Sequence, residues 1–185
     1  MSKITETLYD GWIFDDLLTP TQCSHYRNLV DNLAKGAENF QSIQILPDIS
    51  NSIWNIIKNI IPQYIGKNGY KFKLVSISPH VTLSKHTTKP IGIHKDEDIK
   101  TSNPNEFCPY KLCIYLNDLS QPLNHNDTTG GTYFYNNDKK ILYKAKPKLG
   151  RGVLFDMREW HSGSPIPPNS IKYLIGVRPI YQQLF

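Results

Sequence analysis

The stretch Lys111-Leu112-Cys113-Ile114-Tyr115-Leu116-Asn117 decides the fold. Successive side chains of an extended chain point to opposite faces. Leu112, Ile114 and Leu116 therefore share one apolar face, suited to packing under helices, and Cys113, Tyr115 and Asn117 take the other. A strand covered on both sides belongs inside a layered structure, so the second face is expected to look into a barrel. A phenol aimed inward needs a hydrogen-bond partner: a bound carboxylate, or the protein's own backbone.

Working outward, period-two patterns predict strands near 72–85, 91–96, 131–136, 140–146, 152–156, 159–163 and 171–181, with turn clusters such as Asn136-Asn137-Asp138 between them. Before them the pattern is helical. Residues 4–18 read as an opening strand anchored by Trp12, Ile13 and Phe14. Thr19-Pro20 then combines a hydroxyl N-cap with proline at the first helical position. Cys23, Tyr26, Val30 and Leu33 recur at helical spacing, and Gly36 is the expected stop. A second helix is expected from about residue 50 to 61, greasy through Ile53, Ile56, Ile57, Ile60 and Ile61 and closed near Pro62. Two bracing helices followed by roughly eight short strands predict a mostly-β double-sheet jelly roll.

The 185 residues suit one domain with a real core. Residues 1–70 supply the opening strand and braces and 71–185 the β core. No run approaches the length of a membrane span, and no basic segment followed by an apolar run opens the chain, so neither a membrane nor a leader is expected. Cys23, Cys108 and Cys113 are odd in number and lack metal-site spacing; free thiols in a reducing, cytoplasmic setting are expected. Asn126-Asp127-Thr128 is a formal glycosylation sequon. The net charge of +5 gathers partly in Lys139, Lys140, Lys144, Lys146, Lys148 and Arg151. That run is either a nucleic-acid face or a solvated rim around a site for an anion.

The residues that carry chemistry flank the central strand. In Ile91-Gly92-Ile93-His94-Lys95-Asp96 alternation turns His94 and Asp96 to one side, where both can reach one cation. His161, in Glu159-Trp160-His161-Ser162-Gly163, is the candidate third ligand. Two imidazoles and a carboxylate on one face of a metal, with open positions opposite, are the donor set of non-haem Fe(II) oxygenases. In residues 171–178, Tyr173, Ile175 and Val177 form one face. Lys172, Leu174, Gly176 and Arg178 form the other, which is either interior or exterior. A lysine turned into a barrel requires an anion, and a metal-chelating dicarboxylate would provide one. The polar segment 97–109, broken by Pro104, follows the ligand pair and is either a lid over the site or a surface loop.

Taken in order, His94-x-Asp96, Ile114-Tyr115-Leu116-Asn117-Asp118, Gly130-Gly131, Gly150-Arg151-Gly152-Val153-Leu154-Phe155, Trp160-His161-x-Gly163 and Lys172-Tyr173 resemble the 2-oxoglutarate and Fe(II)-dependent dioxygenases, most closely the prolyl 4-hydroxylase-like branch. The resemblance implies a double-stranded β-helix core and Fe(II) on His94, Asp96 and His161. It also implies 2-oxoglutarate held by Lys172 and Tyr115, with Arg178 on the same strand as a further co-substrate contact. The implied reaction is hydroxylation of a C–H bond, with O2 consumed, succinate and CO2 released, and ascorbate as a candidate accessory reductant. A peptide or protein substrate, peptidyl proline first, is implied. The spacing Lys172-x5-Arg178 also looks like the AlkB nucleic-acid demethylases, and a non-catalytic jelly-roll binding module is the remaining alternative. Two positions depart from the branch: Thr132 follows the paired glycines where an acidic residue is common, and Ser84 or His86 stands upstream of His94 where a tyrosine is common.

Overall fold

The computed structural model describes residues 3–8, 11–67, 69–87, 91–97, 101–119 and 130–185. The sequon at 126–128 and residues 98–100 of the expected lid lie outside them. The described strands, in chain order, are β1 Lys3–Leu8, β2 Gly11–Asp15, β3 Phe40–Ile45, β4 Tyr64–Lys67, β5 Tyr70–Ile77, β6 His80–His86, β7 Glu106–Phe107, β8 Tyr110–Tyr115, β9 Thr132–Tyr135, β10 Ile141–Ala145, β11 Gly152–Asp156, β12 Trp160–Gly163, β13 Lys172–Val177 and β14 Pro179–Leu184. The two helices are α1 Pro20–Ala34 and α2 Pro47–Ile57.

A seven-stranded sheet runs β1-β2-β11-β8-β13-β6-β3 and faces a three-stranded sheet β10-β9-β12. A four-stranded sheet β4-β5-β14-β7 continues from one end. The architecture is the mostly-β jelly roll braced by two helices. Its opening strands enter the large sheet itself: β2 pairs with β11, and β3 pairs with β6.

Helix α1 starts where Thr19 caps it. Gln22 N–H donates to Thr19 Oγ1 at 3.2 Å, and Thr19 N–H donates back to Gln22 Oε1 at 2.8 Å, which is a reciprocal capping box. Lys35 at φ 48° and Gly36 at φ 86° turn the chain out of the helix. The buried stripe is Cys23, Tyr26, Val30 and Ala34. Leu33, expected on it, is 37% exposed, because the step of four from Val30 lands on Ala34. Helix α2 begins earlier than its apolar pattern suggests, since Pro47 occupies the first turn.

Two expected strands are each broken in two. The 72–85 run divides at Ser78-Pro79 into β5 and β6, and the 171–181 run at Arg178-Pro179 into β13 and β14. Proline has no N–H for a ladder, so both strands of the pair change sheet together. Ser78 N–H donates to the Arg178 carbonyl at 2.9 Å across the break. The expected strand at 91–96 makes only a bridge, His94 to His161. Segment 97–109 contains β7, which pairs with β14.

The alternation read from residues 111–117 holds through Leu116. Leu112, Ile114 and Leu116 join Cys23, Val30, Ile53, Ile57 and Ile175 in the core beneath the helices. Each such buried aliphatic side chain contributes about 1.5–3 kcal/mol relative to exposure. Tyr115, Ile13, Phe134, Val153 and Phe155 form a second cluster between the two facing sheets. Helix α1 is clasped to the sheet by Asp31, which accepts from Tyr173 Oη at 2.9 and 3.0 Å and from Lys85 Nζ at 2.7 Å. Among the described residues no helix is long and apolar enough to cross a membrane. The three cysteines are free thiols.

Candidate metal centre

His94 and His161 face each other across an antiparallel bridge: His94 N–H donates to the His161 carbonyl and His161 N–H to the His94 carbonyl, each at 2.9 Å. Asp96 is tied alongside by its N–H to the Met157 carbonyl at 2.9 Å. One ligand atom from each of His94, Asp96 and His161 lies within 4.8 Å of the others. The Nε2 of His161 stands 3.5 Å from Asp96 Oδ2, and that of His94 stands 3.8 Å from Oδ1.

The tautomers follow from the remaining contacts. His94 Nδ1 is 2.8 Å from the Gly92 carbonyl and His161 Nδ1 is 2.9 Å from the Glu159 carbonyl. A carbonyl only accepts, so each Nδ1 carries a proton and each ring turns its Nε2, the atom left for a metal, to the same point. Burial pushes His94 below its ordinary range, against a smaller opposing pull from the Gly92 carbonyl, which favours the neutral, ligating form. Burial disfavours ionised Asp96, but His161 and Lys111 outweigh it and hold the carboxyl well below the usual carboxylate range. Phe155 packs edge-on against His161 at 4.8 Å and fixes the ring plane. Two imidazoles and one carboxylate fit a divalent first-row metal with open positions.

A cavity extends from these ligands along the floor of the large sheet. Thr82, Ser84, Lys111, Cys113, Lys172 and Gly176 line it. Lys172, ambiguous in the sequence, points inward and is 4% exposed. Its ammonium donates to the Gly131 carbonyl at 3.0 Å and sits 5.4 Å from the Tyr115 ring centroid. Burial pushes Lys172 down to about 8. Gly130, at φ 78°, makes the turn that presents this carbonyl, and a Cβ there would lie 2.3 Å from Leu119 Cδ1. Gly176 keeps the floor open: its Cβ would stand 3.2 Å from Thr82 Cβ and 3.4 Å from Lys111 Cε.

The other sequence candidates are placed differently. Tyr115 is buried with its hydroxyl 2.7 Å from Thr132 Oγ1. It lies one layer behind the cavity, which Thr132 lines. Arg178 is 4% exposed, and its Nη1 reaches Thr82 Oγ1 at 3.5 Å. Of the two residues standing where the branch carries a tyrosine, Ser84 lines the cavity. His86 lies opposite Lys172 in the strand pair, and burial with the nearby ammonium lowers it to about 4. Trp160 is half-buried, with the ammonium groups of Lys95 and Lys139 over its ring. Asn117 braces the site from outside, donating to the Ile171 carbonyl at 2.7 Å and accepting from Tyr173 N–H at 3.0 Å.

Sequence reasoning missed Lys111. Its ammonium lies 3.0 and 2.8 Å from the two oxygens of Asp96, and the residue is 9% exposed. The signal was available, because alternation from Cys113 puts Lys111 on the inward face.

No family model and no curated protein sequence matches the chain. Solved structures do match in shape. The viral collagen prolyl hydroxylase vCPH of Paramecium Bursaria Chlorella virus-1, in its 2OG complex, aligns at TM-score 0.54 and 18% identity, over 92% of this chain and 94% of that one. The Trichoplax adhaerens prolyl hydroxylase, in complex with a hypoxia inducible factor oxygen degradation domain peptide fragment, gives 0.59 and 15%, over 92% and 83%. HygX of Streptomyces hygroscopicus, with nickel and 2-oxoglutarate bound, gives 0.57 and 11%, over 95% and 83%. Their shared architecture, together with the sheet order described above, shows that this chain has the jelly-roll fold of these prolyl hydroxylases and of HygX.

Proposed function

We propose that residues 1–185 form one domain that acts as an Fe(II)- and 2-oxoglutarate-dependent dioxygenase, hydroxylating a C–H bond of a peptidyl proline. One observation carries this reading: the convergence of His94 Nε2, His161 Nε2 and the Asp96 carboxylate at the edge of a cavity that also holds the buried Lys172 ammonium. The donor set suits Fe(II). When bound, Fe(II) with 2-oxoglutarate and O2 supplies the oxidising power and releases succinate and CO2.

The chain's own residues bind, orient and shield. Backbone carbonyls accept from the Nδ1–H of both imidazoles, so Nε2 is the atom each ring offers to the metal. Lys172 offers a positive charge in a site of low dielectric, where a carboxylate is worth far more to it than in water. Thr132, fixed by the Tyr115 hydroxyl, provides a hydroxyl on the same wall. Phe155 and Phe134 flank His161 and keep water from that side. The likeness in shape to a prolyl hydroxylase bound to a peptide fragment supports a peptide substrate.

The test is succinate release with Fe(II), ascorbate and 2-oxoglutarate, across proline peptides, free amino acids and methylated oligonucleotides. Turnover on a proline peptide, abolished by Asp96→Ala, is expected. Turnover only with a methylated oligonucleotide moves the substrate to nucleic acid. Failure to bind metal or 2-oxoglutarate leaves a non-catalytic jelly roll and overturns the reading.

A further inference from the structure

The floor of the cavity is more cationic than its metal and co-substrate require. Among the described residues lining it there are two ammonium groups, Lys111 and Lys172, and no carboxylate. Asp96, at its edge, is the partner of Lys111. Taking the dioxygenase reading above as given, a divalent metal, Asp96 and 2-oxoglutarate together carry one negative charge. Lys172 neutralises it. Lys111 then remains as a buried positive charge, because the carboxylate that satisfies it also has to serve the metal.

Arg178 adds a second. It is 4% exposed, and among the described residues its one side-chain hydrogen bond is the 3.5 Å contact to Thr82 and its Nε has no partner. Strand register brings these groups together. Lys111, Cys113 and Phe155 lie on the inward face of β8 and β11, and Gly176, paired with Cys113 and Thr82, leaves the gap between them. Buried cations are retained when an anion meets them.

We propose that the substrate presents a carboxylate to Lys111, so that the enzyme selects an acidic group beside the carbon it hydroxylates. When Asp96 ligates the metal through one oxygen, the Lys111 ammonium keeps the other and still has N–H groups to donate. The carboxylate belongs either to an acidic side chain next to the proline or to the free carboxyl of a small prolyl compound; the chemistry at Lys111 is the same.

The experiment is calorimetric titration of protein loaded with Ni(II) and 2-oxoglutarate. Matched pairs differ only in charge: acetyl-Asp-Pro-Gly-amide against its Asn counterpart, acetyl-Gly-Pro-Asp-amide against its Asn counterpart, and N-acetyl-L-proline against N-acetyl-L-prolinamide. The first two pairs report a peptide side chain and the third a small molecule. In at least one pair the acid is expected to bind about 10–100-fold more tightly, the range for a hydrogen bond to a charged group. Lys111→Met should bring the ratio close to one, and Lys111→Arg should retain it. Equal binding in every pair of the unsubstituted protein overturns the proposal without any variant. A preference that survives Lys111→Met overturns it as well. Failure to bind 2-oxoglutarate counts against the dioxygenase reading instead; the pairs are then compared on protein loaded with Ni(II) alone.

Discussion

Raising the pH through the range where Lys172 titrates is expected to move two observables in opposite directions. The buried ammonium has the Gly131 carbonyl and the Tyr115 ring beside it, and burial lowers it from 10.5 to about 8. About nine-tenths of it is protonated at pH 7 and about one-tenth at pH 9. A dicarboxylate that needs the ammonium should therefore bind about tenfold more weakly at pH 9, or about 1.4 kcal/mol. Stability without ligand goes the other way. Between about 8 and 10.5 the unfolded chain holds more protons than the folded one, so stability rises with pH, by about 1.4 kcal/mol per unit. The assays are calorimetric titration of Ni(II)-loaded protein with 2-oxoglutarate at pH 7, 8 and 9, and urea unfolding of metal-free protein at pH 8, 9 and 10. Lys172→Met should flatten the Lys172 contribution to both profiles. Equal affinity at pH 7 and 9 in the unsubstituted protein, or the same drop in Lys172→Met, refutes the placement of the charge.

Three further outcomes are expected. Gly176→Val should lower 2-oxoglutarate affinity by more than about tenfold in the same titration, since its branches fill the space between Thr82 and Lys111. Phe155→Ala should cost about 3–5 kcal/mol in urea unfolding and loosen metal binding, because a fully buried ring is lost from behind His161. Tyr173→Phe should cost only about 1 kcal/mol, read by the same unfolding curves; it removes a bond to a charged acceptor, but the Asp31 side chain is 43% exposed.

Much of the site was legible because most of its residues are strand residues, His94 and Asp96 lying on a segment that makes only a bridge. Period two put His94 beside Asp96, gave Tyr115 and Leu112 opposite faces, and tied Lys172 to Gly176. Patterns of this kind depend only on backbone geometry. The capped start of α1 was legible for a similar reason, since Thr19-Pro20 satisfies a local rule. What could not be read was set by distant parts of the chain. Strand β3, Phe-Gln-Ser-Ile-Gln-Ile, has no strong apolar face, and pairing along β6 makes it a strand. The short β4 and β7 exist only through β5 and β14. The Tyr115 hydroxyl, left with either a ligand or the protein itself as its partner, is bonded to Thr132, a contact across the sandwich that spacing along the sequence cannot reveal. Lys111 is the instructive omission. Its inward direction follows from the same alternation, but its importance comes from Asp96, which a different segment delivers.

The reciprocal main-chain bonds between His94 and His161 have a practical consequence. Two of the three donors are clamped by the β-bridge, and the third is anchored by its own amide to Met157. A cation bound here would be a guest in a finished socket rather than a rivet holding the protein together. A protein built this way would lose a metal and regain it without refolding, unlike small domains whose metal is their folding energy.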